Sequence, residues 1–399
     1  MTNKDEVTAS MELAVDWLAH SRIHNLSPEG SKTFGSFNNY YDVIRKSCPH
    51  AHTEITGYAV ELLIDLHEKT GNRKFLEDAE SAATWIVGMQ HQGKGESAFG
   101  SFSRSLSLAD GQKSSKAFSF DAGICIGALT ELYRKTSESS FLEAASQAAE
   151  WLISVMQNPD GSLRAVYDLR QGFRTSGKWY LPKSLRTRFS WFEQPGCYHC
   201  KNVIGLLKLH SVTGDDSLES ASTRLCEWTM SQQDSQGGFP AYYQSKSVFA
   251  HTQCYAIEGL TYASEYLGRR DFSLAAEKGV SWIIKAQQSY GRVPDWLHGA
   301  KPSSTIDSSA LAQALRILTL FEDSDLSDES ASTILRDLLS MQCTGSRDRH
   351  ALGGFYLTEY NARLMKIKVP RVYSWPTMFA IHSFILRDDE SSRNPLNLW

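Results

Sequence analysis

Residues 74–90 read KFLEDAESAATWIVGMQ, an amphipathic stretch with helical spacing that ends on Trp85 and Gln90. The same ending returns as WLISVMQ at 151–157, WTMSQQ at 228–233, WIIKAQ at 282–287 and, in weaker form, LLSMQ at 338–342. A short link that is usually rich in glycine follows each copy, such as SAFG, DGSL, GGFP or GGFY. Self-similarity at a period of about 55 to 75 residues indicates a repeat architecture rather than separate domains.

A second type of helix follows each link. Two examples are ITGYAVELLIDLHEKTG at 55–71 and DAGICIGALTELYRKTS at 121–137, which are apolar over most of their circumference. Such a helix is buried on nearly all sides, whereas the helices ending at Trp and Gln are more sharply amphipathic and belong to an outer layer. With MELAVDWLAHSRI at the start of the chain, the sequence predicts six outer and six inner helices.

We therefore predict an all-α fold, an (α/α)6 toroid in which six helical hairpins close into a barrel and short strands are confined to the links. The 399 residues are expected to form one domain over 1–399, with the helical core at about 11–386. A content of 41% hydrophobic and 22% charged residues is ordinary for a soluble globular protein. This composition excludes a disordered chain, a collagen-like chain and a coiled-coil rod.

Through the Trp/Gln endings and the links with glycine and aromatic residues, the chain resembles the six-hairpin toroid superfamily over roughly residues 11–386. That group includes glycosidases, polysaccharide lyases, sugar epimerases, terpenoid cyclases and protein prenyltransferases. The resemblance implies the toroid fold. It leaves the reaction open, because one fold carries many activities.

The charge balance argues against nucleic acid as a partner. Lysine and arginine number 41 against 45 acidic residues, a net charge of −4, whereas phosphate binding needs a strong cationic footprint. No apolar run is long enough to span a membrane, and the start MTNKDEVTAS lacks an apolar signal core. Seven scattered cysteines are typical of reduced thiols. We therefore expect a cytoplasmic protein.

In a toroid, every link leads into the N-terminus of an inner helix, so six such N-termini surround one mouth of the barrel. Polar side chains at these starts converge from distant sequence positions and define the candidate site. The predicted catalytic residues are Glu54, Asp121, His199, His251, Asp307 and Tyr373. The predicted substrate-binding residues are His52, Arg186, Arg188, Trp191, Tyr198, Trp296 and Trp375. Carboxylates at helix starts also serve as caps, and this alternative stays open for the three acidic residues.

The longest link, Asn158 to Gly196, is locally basic. It carries seven lysine and arginine residues between Arg164 and Glu193, against two acidic residues. Arginine side chains bind carboxylates through two parallel hydrogen bonds, and tryptophan rings stack on sugars. The link therefore favours an anionic ligand. A solvated loop, or a contact between two copies of the chain in a homodimer, is an alternative.

These observations predict a carbohydrate-active enzyme that acts on an acidic, uronic-acid-containing glycan or oligosaccharide by general acid/base chemistry. Hydrolysis is the preferred reaction. It needs one carboxylic acid to protonate the leaving oxygen and a second carboxylate as base or nucleophile, for which Glu54, Asp121 and Asp307 are the candidates.

A uronate lyase or C5-epimerase on the same scaffold is an alternative. These reactions remove the proton next to a carboxylate, so they need a base and a cation that neutralises the carboxylate. The candidate bases are His199, His251 and Tyr373, and the candidate cations are Arg186 and Arg188.

An isoprenoid cyclase or prenyltransferase is a third interpretation, and a non-catalytic glycan-binding toroid is a fourth. FAHTQCY at 249–255 resembles the His-Thr-Cys-Tyr helix start of protein prenyltransferase β subunits, which implies His251 as a zinc ligand. The partner Asp-x-Cys motif is missing, since residues 194–197 read QPGC. Cys197 and Cys200 form a CxxC motif, but no second CxxC exists to complete a zinc site. We therefore expect no metal and no cofactor.

Overall fold

Twelve α-helices alternate between an outer and an inner layer in the described part of the chain. The computed structural model describes residues 4–172, 190–321, 325–362 and 365–399. In chain order the helices are α1 (Lys4–His20), α2 (Thr53–Thr70), α3 (Arg73–Gly88), α4 (Ser119–Thr136), α5 (Ser139–Trp151), α6 (Asn202–Thr213), α7 (Asp216–Ser231), α8 (Ala250–Leu267), α9 (Arg270–Tyr290), α10 (Ser308–Leu320), α11 (Asp325–Ser340) and α12 (Ser374–Asp388). Odd-numbered helices are outer and even-numbered helices are inner.

The inner helices form a closed ring. Each packs on the next, from α2 to α4, α6, α8, α10 and α12, and α12 returns to α2. The first outer helix, α1, packs against α12 and closes the second layer. In α8 every residue from Ala250 to Ala263 is buried, as the apolar circumference of the inner helices predicted. The predicted (α/α)6 toroid is confirmed. No helix among the described residues has the length and apolar character needed to cross a membrane.

Short strands occupy the links. They are β1 (Tyr40–Asp42), β2 (His50–His52), β3 (Ser105–Ser107), β4 (Lys116–Phe118), β5 (Val166–Asp168), β6 (Ser247–Phe249), β7 (Trp296–His298), β8 (Lys301–Pro302), β9 (Thr305–Asp307), β10 (Phe355–Tyr356), β11 (Thr358–Ala362), β12 (Met365–Lys368) and β13 (Arg371–Tyr373).

Among the described residues, strand pairing connects five of the six neighbouring pairs of links around one end of the ring. The strands β2, β4, β6, β9 and β13 each run directly into an inner helix. Four of them pair antiparallel with a strand of the following link, as β2–β3, β4–β5, β6–β7 and β9–β11. The fifth, β13, pairs with β1 of the first link and closes the circle. Helix α6 differs, because a 3-10 turn at Cys197–Lys201 precedes it. The side chains at this end are therefore held on short, paired backbone segments.

The glutamine that ends a repeat ties its link to the next outer helix. Gln90 Nε2 donates to the carbonyl oxygens of Gly100 in its own link, at 2.9 Å, and Ala144 of α5, at 2.8 Å. Three further glutamines make the same pair of bonds: Gln157, Gln233 and Gln342. Gln287 departs from the pattern and accepts a bond from Ser330 Oγ of α11. The recurring glutamine is thus a structural clamp, which explains the repeat.

The clamped glycine has no room for a side chain. Gly100 has φ +84°, and a Cβ there would lie 2.2 Å from the carbonyl oxygen of Gln147 in α5. Gly95, in the same link, has nearly the same φ of +86°, but a Cβ would meet nothing within 4 Å. A comparison of substitutions at Gly95 and Gly100 therefore distinguishes the cost of backbone strain from the cost of a steric clash.

We expect Gly100→Ala to lower the free energy of unfolding by roughly 3 kcal/mol or more, and Gly95→Ala by only about 1 kcal/mol. Both variants carry an alanine with positive φ, but only Gly100→Ala forces the link away from α5. Urea denaturation of the two variants beside the wild type measures the difference. Equal losses would mean that the close approach to α5 adds nothing to the cost of backbone strain.

A buried ionic cluster lies between the inner helices. Glu258 of α8 accepts hydrogen bonds from Lys201 Nζ at 2.7 Å and from Arg316 Nε of α10 at 3.0 Å. All three side chains are fully buried. Lys201 also donates to the carbonyl oxygen of Trp399. The Trp399 residue lies at the end of the ring opposite the paired links. Buried charges persist only when their hydrogen bonds are satisfied, and here one carboxylate serves two cations.

Candidate active site at the mouth of the ring

Two carboxylates meet where the first two inner helices begin. Glu54 lies in the first turn of α2 and Asp121 in the first turn of α4, directly after β2 and β4. Neither caps its helix, because the N-cap positions are taken by His52 and Phe118. Ligand atoms of His52, Glu54 and Asp121 all lie within 4.8 Å of one another. The fold thus brings together three of the predicted site residues.

Burial and mutual repulsion change the acidity of the pair. Burial, together with the nearby charge of Asp121, raises the pKa of Glu54 to about 8. Burial also raises the pKa of Asp121 to about 6, against the opposing effect of the Arg104 cation. Two carboxyl groups in one low-dielectric site cannot both ionise readily. Near neutral pH the two groups therefore hold about one proton between them.

This proton makes the stability of the protein depend on pH. The pKa of Glu54 lies above its ordinary value, so the folded state binds more protons than the unfolded state between about pH 4.5 and 8. The free energy of unfolding therefore falls as the pH rises through this window, by at most about 1.4 kcal/mol per pH unit for this group. In Glu54→Gln this contribution disappears and the fall is shallower. Urea unfolding of both proteins at several pH values between 5 and 8 provides the comparison, and parallel profiles would contradict the raised pKa.

Arg104 completes this side of the mouth. It lies between Gln90 and β3 in the link, and its Nε donates to His52 Nε2 at 3.0 Å. Its guanidinium packs 4.1 Å above the ring of Phe118. Because His52 Nε2 accepts a bond, the neutral ring carries its hydrogen on Nδ1, which is 4.0 Å from Glu54 Oε2. Burial and the Arg104 charge lower the pKa of His52 well below its usual range and keep it neutral.

The three clustered groups are of types that bind divalent cations, although the sequence predicted no metal. Carboxylate oxygens and a histidine nitrogen suit several metals. However, His52 Nε2 is already engaged by Arg104, and the Arg104 guanidinium supplies a positive charge to Glu54 and Asp121. With Arg104 in this position, the arrangement can exchange protons without a metal.

His251 lies on another side of the same mouth, in the first turn of α8. Its ring is 4.4 Å from that of Tyr255, whose phenol pKa is raised by burial and by the charge of Glu54. Its Nδ1 lies 2.5 Å from Gln313 Oε1 of α10. Burial lowers the pKa of His251 to about 4, so the ring is neutral.

Aromatic rings line the wall beside His251. Trp191 approaches the His251 ring edge-on, with centroids 6.1 Å apart. Phe249 and Trp296, which face each other across the β6–β7 pair, stack at 4.6 Å with an interplanar angle of 9°. Both tryptophans are partly exposed. They offer flat apolar faces of the kind on which sugar rings stack.

Asp307 acts as a helix cap. Its Oδ1 accepts hydrogen bonds from the backbone N–H groups of Ser309 and Ala310 at the start of α10. Its pKa is nevertheless raised to about 6, mainly by burial. Tyr373 and Trp375 lie at the start of α12 with their rings 4.9 Å apart and perpendicular, and burial raises the pKa of Tyr373.

Tyr198 and His199 lie deeper than the other candidates. The hydroxyl of Tyr198 donates to the carbonyl oxygen of Gln194 at 2.8 Å, and the residue is 1% exposed. His199 is also 1% exposed, neither of its ring nitrogens has a hydrogen-bond partner among the described residues, and burial lowers its pKa to about 3. Cys197 and Cys200, on the same turn, are buried free thiols.

Two predicted substrate-binding residues, Arg186 and Arg188, lie outside the described residues. Conversely, sequence reasoning missed Arg104 and Gln313. Arg104 lies within a link rather than at a helix start, and it reaches His52 because β2 pairs with β3. Gln313 lies in the second turn of α10, inside the apolar run SSALAQALRILTL. A polar side chain in an otherwise apolar inner helix was the signal that could have identified it.

Comparison with solved structures agrees with the toroid fold. A cellobiose 2-epimerase from Bacillus thermoamylovorans B4167 superposes with a TM-score of 0.75 at 12% identity, over 97% of this chain and 99% of that one. The protein is an (α/α)6 toroid. A D-mannose isomerase matches the toroid with a TM-score of 0.68 at 10% identity, covering 96% of this chain and 98% of that one. An unsaturated glucuronyl hydrolase specific for heparin matches with a TM-score of 0.67 at 13% identity, covering 99% of this chain and 100% of that one. No protein-family profile and no curated protein matches the toroid's sequence.

Proposed function

We propose that this protein is a carbohydrate-active enzyme that hydrolyses a glycosidic bond at the mouth of the ring. The observation that carries the proposal is the close approach of Glu54 and Asp121, with pKa values of about 8 and about 6. A pair of carboxyl groups whose environments separate their pKa values is suited to serve as acid and base at one pH. The sugar-converting enzymes among the structural neighbours support the same substrate class.

In this proposal Glu54 is the acid. It is protonated near neutral pH and donates its proton to the glycosidic oxygen as the bond to the anomeric carbon breaks. The Nδ1–H of His52 faces Glu54 Oε2, so it stabilises the carboxylate that forms.

Asp121 is the nucleophile. Ligand atoms of the two carboxyl groups lie within 4.8 Å, which favours the short spacing of about 5 Å used in retaining glycosidases over the 6.5 Å or more that accommodates an attacking water. Asp121 would bond to the anomeric carbon and form a glycosyl ester. Water, deprotonated by Glu54, would then hydrolyse that ester and restore both groups.

An acidic glycan remains the proposed substrate. Its support is the basic composition of the link between Arg164 and Glu193, whose Arg186 and Arg188 lie outside the described residues. The described cations of the mouth are already engaged. Arg104 bonds His52, and Lys116 pairs with Glu193. A carboxylate on the substrate would therefore depend on that link.

Sugar epimerisation or isomerisation is a second candidate. Neutral His251 has no hydrogen-bond partner for Nε2 among the described residues, and a free imidazole nitrogen is a suitable base for the proton next to a carbonyl group. In this reaction His251 would take the proton from an open-chain sugar, and a second group across the mouth would return it to the other face.

The test is incubation of the wild-type protein with a panel of acidic and neutral oligosaccharides. New reducing ends without new ultraviolet absorbance support hydrolysis. Absorbance from a new carbon–carbon double bond means elimination, and deuterium uptake from heavy water without cleavage means epimerisation or isomerisation. If no sugar of the panel is converted or bound by calorimetry, the proposal is wrong.

A further inference from the structure

Two side-chain oxygen atoms lie within hydrogen-bond distance of His251 Nδ1. Gln313 Oε1 lies 2.5 Å from it and Ser309 Oγ lies 3.1 Å from it. Which of the two histidine nitrogens carries the hydrogen depends on whether these neighbours donate or accept. Their roles can be worked out from the groups behind them.

Glu258 decides the orientation of Gln313. This carboxylate accepts from Lys201 and from two nitrogens of Arg316, and the two cations hold its pKa below the usual value despite burial. An ionised carboxylate has no hydrogen to donate. The Gln313 atom that lies 3.4 Å from Glu258 Oε2 must therefore be the donor, Nε2. This orientation turns the Gln313 Oε1 towards His251.

Ser309 can also act only as an acceptor towards His251 Nδ1. Its hydroxyl hydrogen bonds to Asp307 Oδ1, the oxygen that also caps α10. The serine oxygen therefore presents only lone pairs to His251 Nδ1. Two independent chains of donors and acceptors, one from Glu258 and one from Asp307, thus both require a hydrogen on Nδ1.

We propose that Gln313, oriented by Glu258, is a positioning residue that holds neutral His251 with its hydrogen on Nδ1 and a lone pair on Nε2, ready to accept a proton from a sugar in the mouth. Gln313 does not touch the substrate in this scheme and acts through His251. The role of His251 as a base rests on the second candidate function, epimerisation or isomerisation, whereas the tautomer itself follows from the hydrogen bonds alone.

The test reads the tautomer directly, without substrate. Long-range proton–nitrogen NMR spectra of the labelled protein distinguish a protonated from an unprotonated ring nitrogen, and loss of one set of signals in His251→Asn assigns His251. In the wild type we expect Nε2 unprotonated and Nδ1 protonated. The opposite pattern, or a mixture of both, would overturn the proposal whatever the variants do.

Variants test the role of Gln313. In Gln313→Leu the shorter contact to Nδ1 is lost and Ser309 Oγ, at 3.1 Å, is the acceptor that remains, so we expect the second tautomer to become detectable beside the first. Gln313→Glu is expected to keep the wild-type tautomer, because a protonated carboxyl group at position 313 donates to Glu258 and accepts from Nδ1. Gln253→Leu is the matched control: Gln253 is a fully buried glutamine of α8 that bonds only backbone groups in the interactions described, at Phe239, Gly237 and Gly279. An unchanged tautomer in folded Gln313→Leu would mean that Ser309 alone fixes it, and would overturn the positioning role of Gln313.

The two proposals fail separately. If a sugar is epimerised or isomerised, Gln313→Leu is expected to lower kcat by roughly 100-fold with little change in KM, and Gln313→Glu to restore most of it. Absence of any sugar conversion would overturn the proposed function and leave the tautomer assignment intact. A wrong tautomer would overturn this inference and leave hydrolysis by Glu54 and Asp121 untouched.

Discussion

Glu54→Gln is expected to lower kcat on the active sugar substrate at least 1,000-fold, and Asp121→Asn by a similar factor. The glutamine keeps the size of Glu54 but has no acidic proton to give to the leaving oxygen. The asparagine likewise keeps the shape of Asp121 but cannot act as a nucleophile. Because the two groups act as one unit, the double variant should lose little more activity than either single variant.

Glu61→Gln is the control for this experiment. Glu61 is a buried carboxylate of α2, two helical turns beyond Glu54, and it pairs with Lys208 at 2.8 Å on the far side of the ring. This variant tests the same substitution on the same helix, away from the mouth. It should lose stability but keep its turnover within tenfold. Turnover of Glu54→Gln above a tenth of the wild-type value would exclude Glu54 as the acid.

Glu258→Gln is expected to lower the free energy of unfolding by about 3 to 5 kcal/mol, the usual cost of leaving a buried charge without its partner. Glu258 compensates Lys201 and Arg316, and all three side chains are fully buried. A neutral amide in its place would leave two cations with one fewer negative charge and without access to water. Denaturation by urea, followed by circular dichroism, measures the loss.

The surface supplies the control for this second experiment. Glu227 pairs with Arg269 at 3.3 Å and its side chain is 51% exposed, so Glu227→Gln should cost less than about 1 kcal/mol. A comparable loss in both variants would contradict the idea that burial makes the Glu258 cluster decisive. A loss below about 1 kcal/mol in Glu258→Gln would mean that Lys201 gives up its proton and the cluster stays neutralised.

The sequence predicted the fold because its signal is local and repeated. The Trp/Gln ending recurs because four of its five glutamines bond a glycine carbonyl of their own link and a carbonyl of the next outer helix, as Gln90 does. Those contacts depend on fixed spacings within one repeat. The burial of the inner helices on all sides is likewise visible as a run of mostly apolar or small residues in the sequence, as in α8.

The site was predictable only where it depends on helix starts. Glu54 and Asp121 were found because topology alone places the starts of α2 and α4 side by side. Arg104 was not found because it reaches His52 through the register of two strands, a contact that no local pattern encodes. For Asp307 the sequence left cap and catalyst equally open, and only the backbone N–H groups bonded to its carboxylate reveal the capping role.

The glutamine clamps also bear on how such a protein can change over evolutionary time. Each clamp holds its link near the beginning, at glycines such as Gly100 and Gly161, and beyond it separate positions of the link, such as Leu106 and Tyr167, pack into the core. Insertions between these buried positions need not disturb the barrel packing, and the link from 158 to 196 shows how long a link can become. We therefore expect substrate specificity to change through the links, while the helices that present Glu54 and Asp121 stay unaltered.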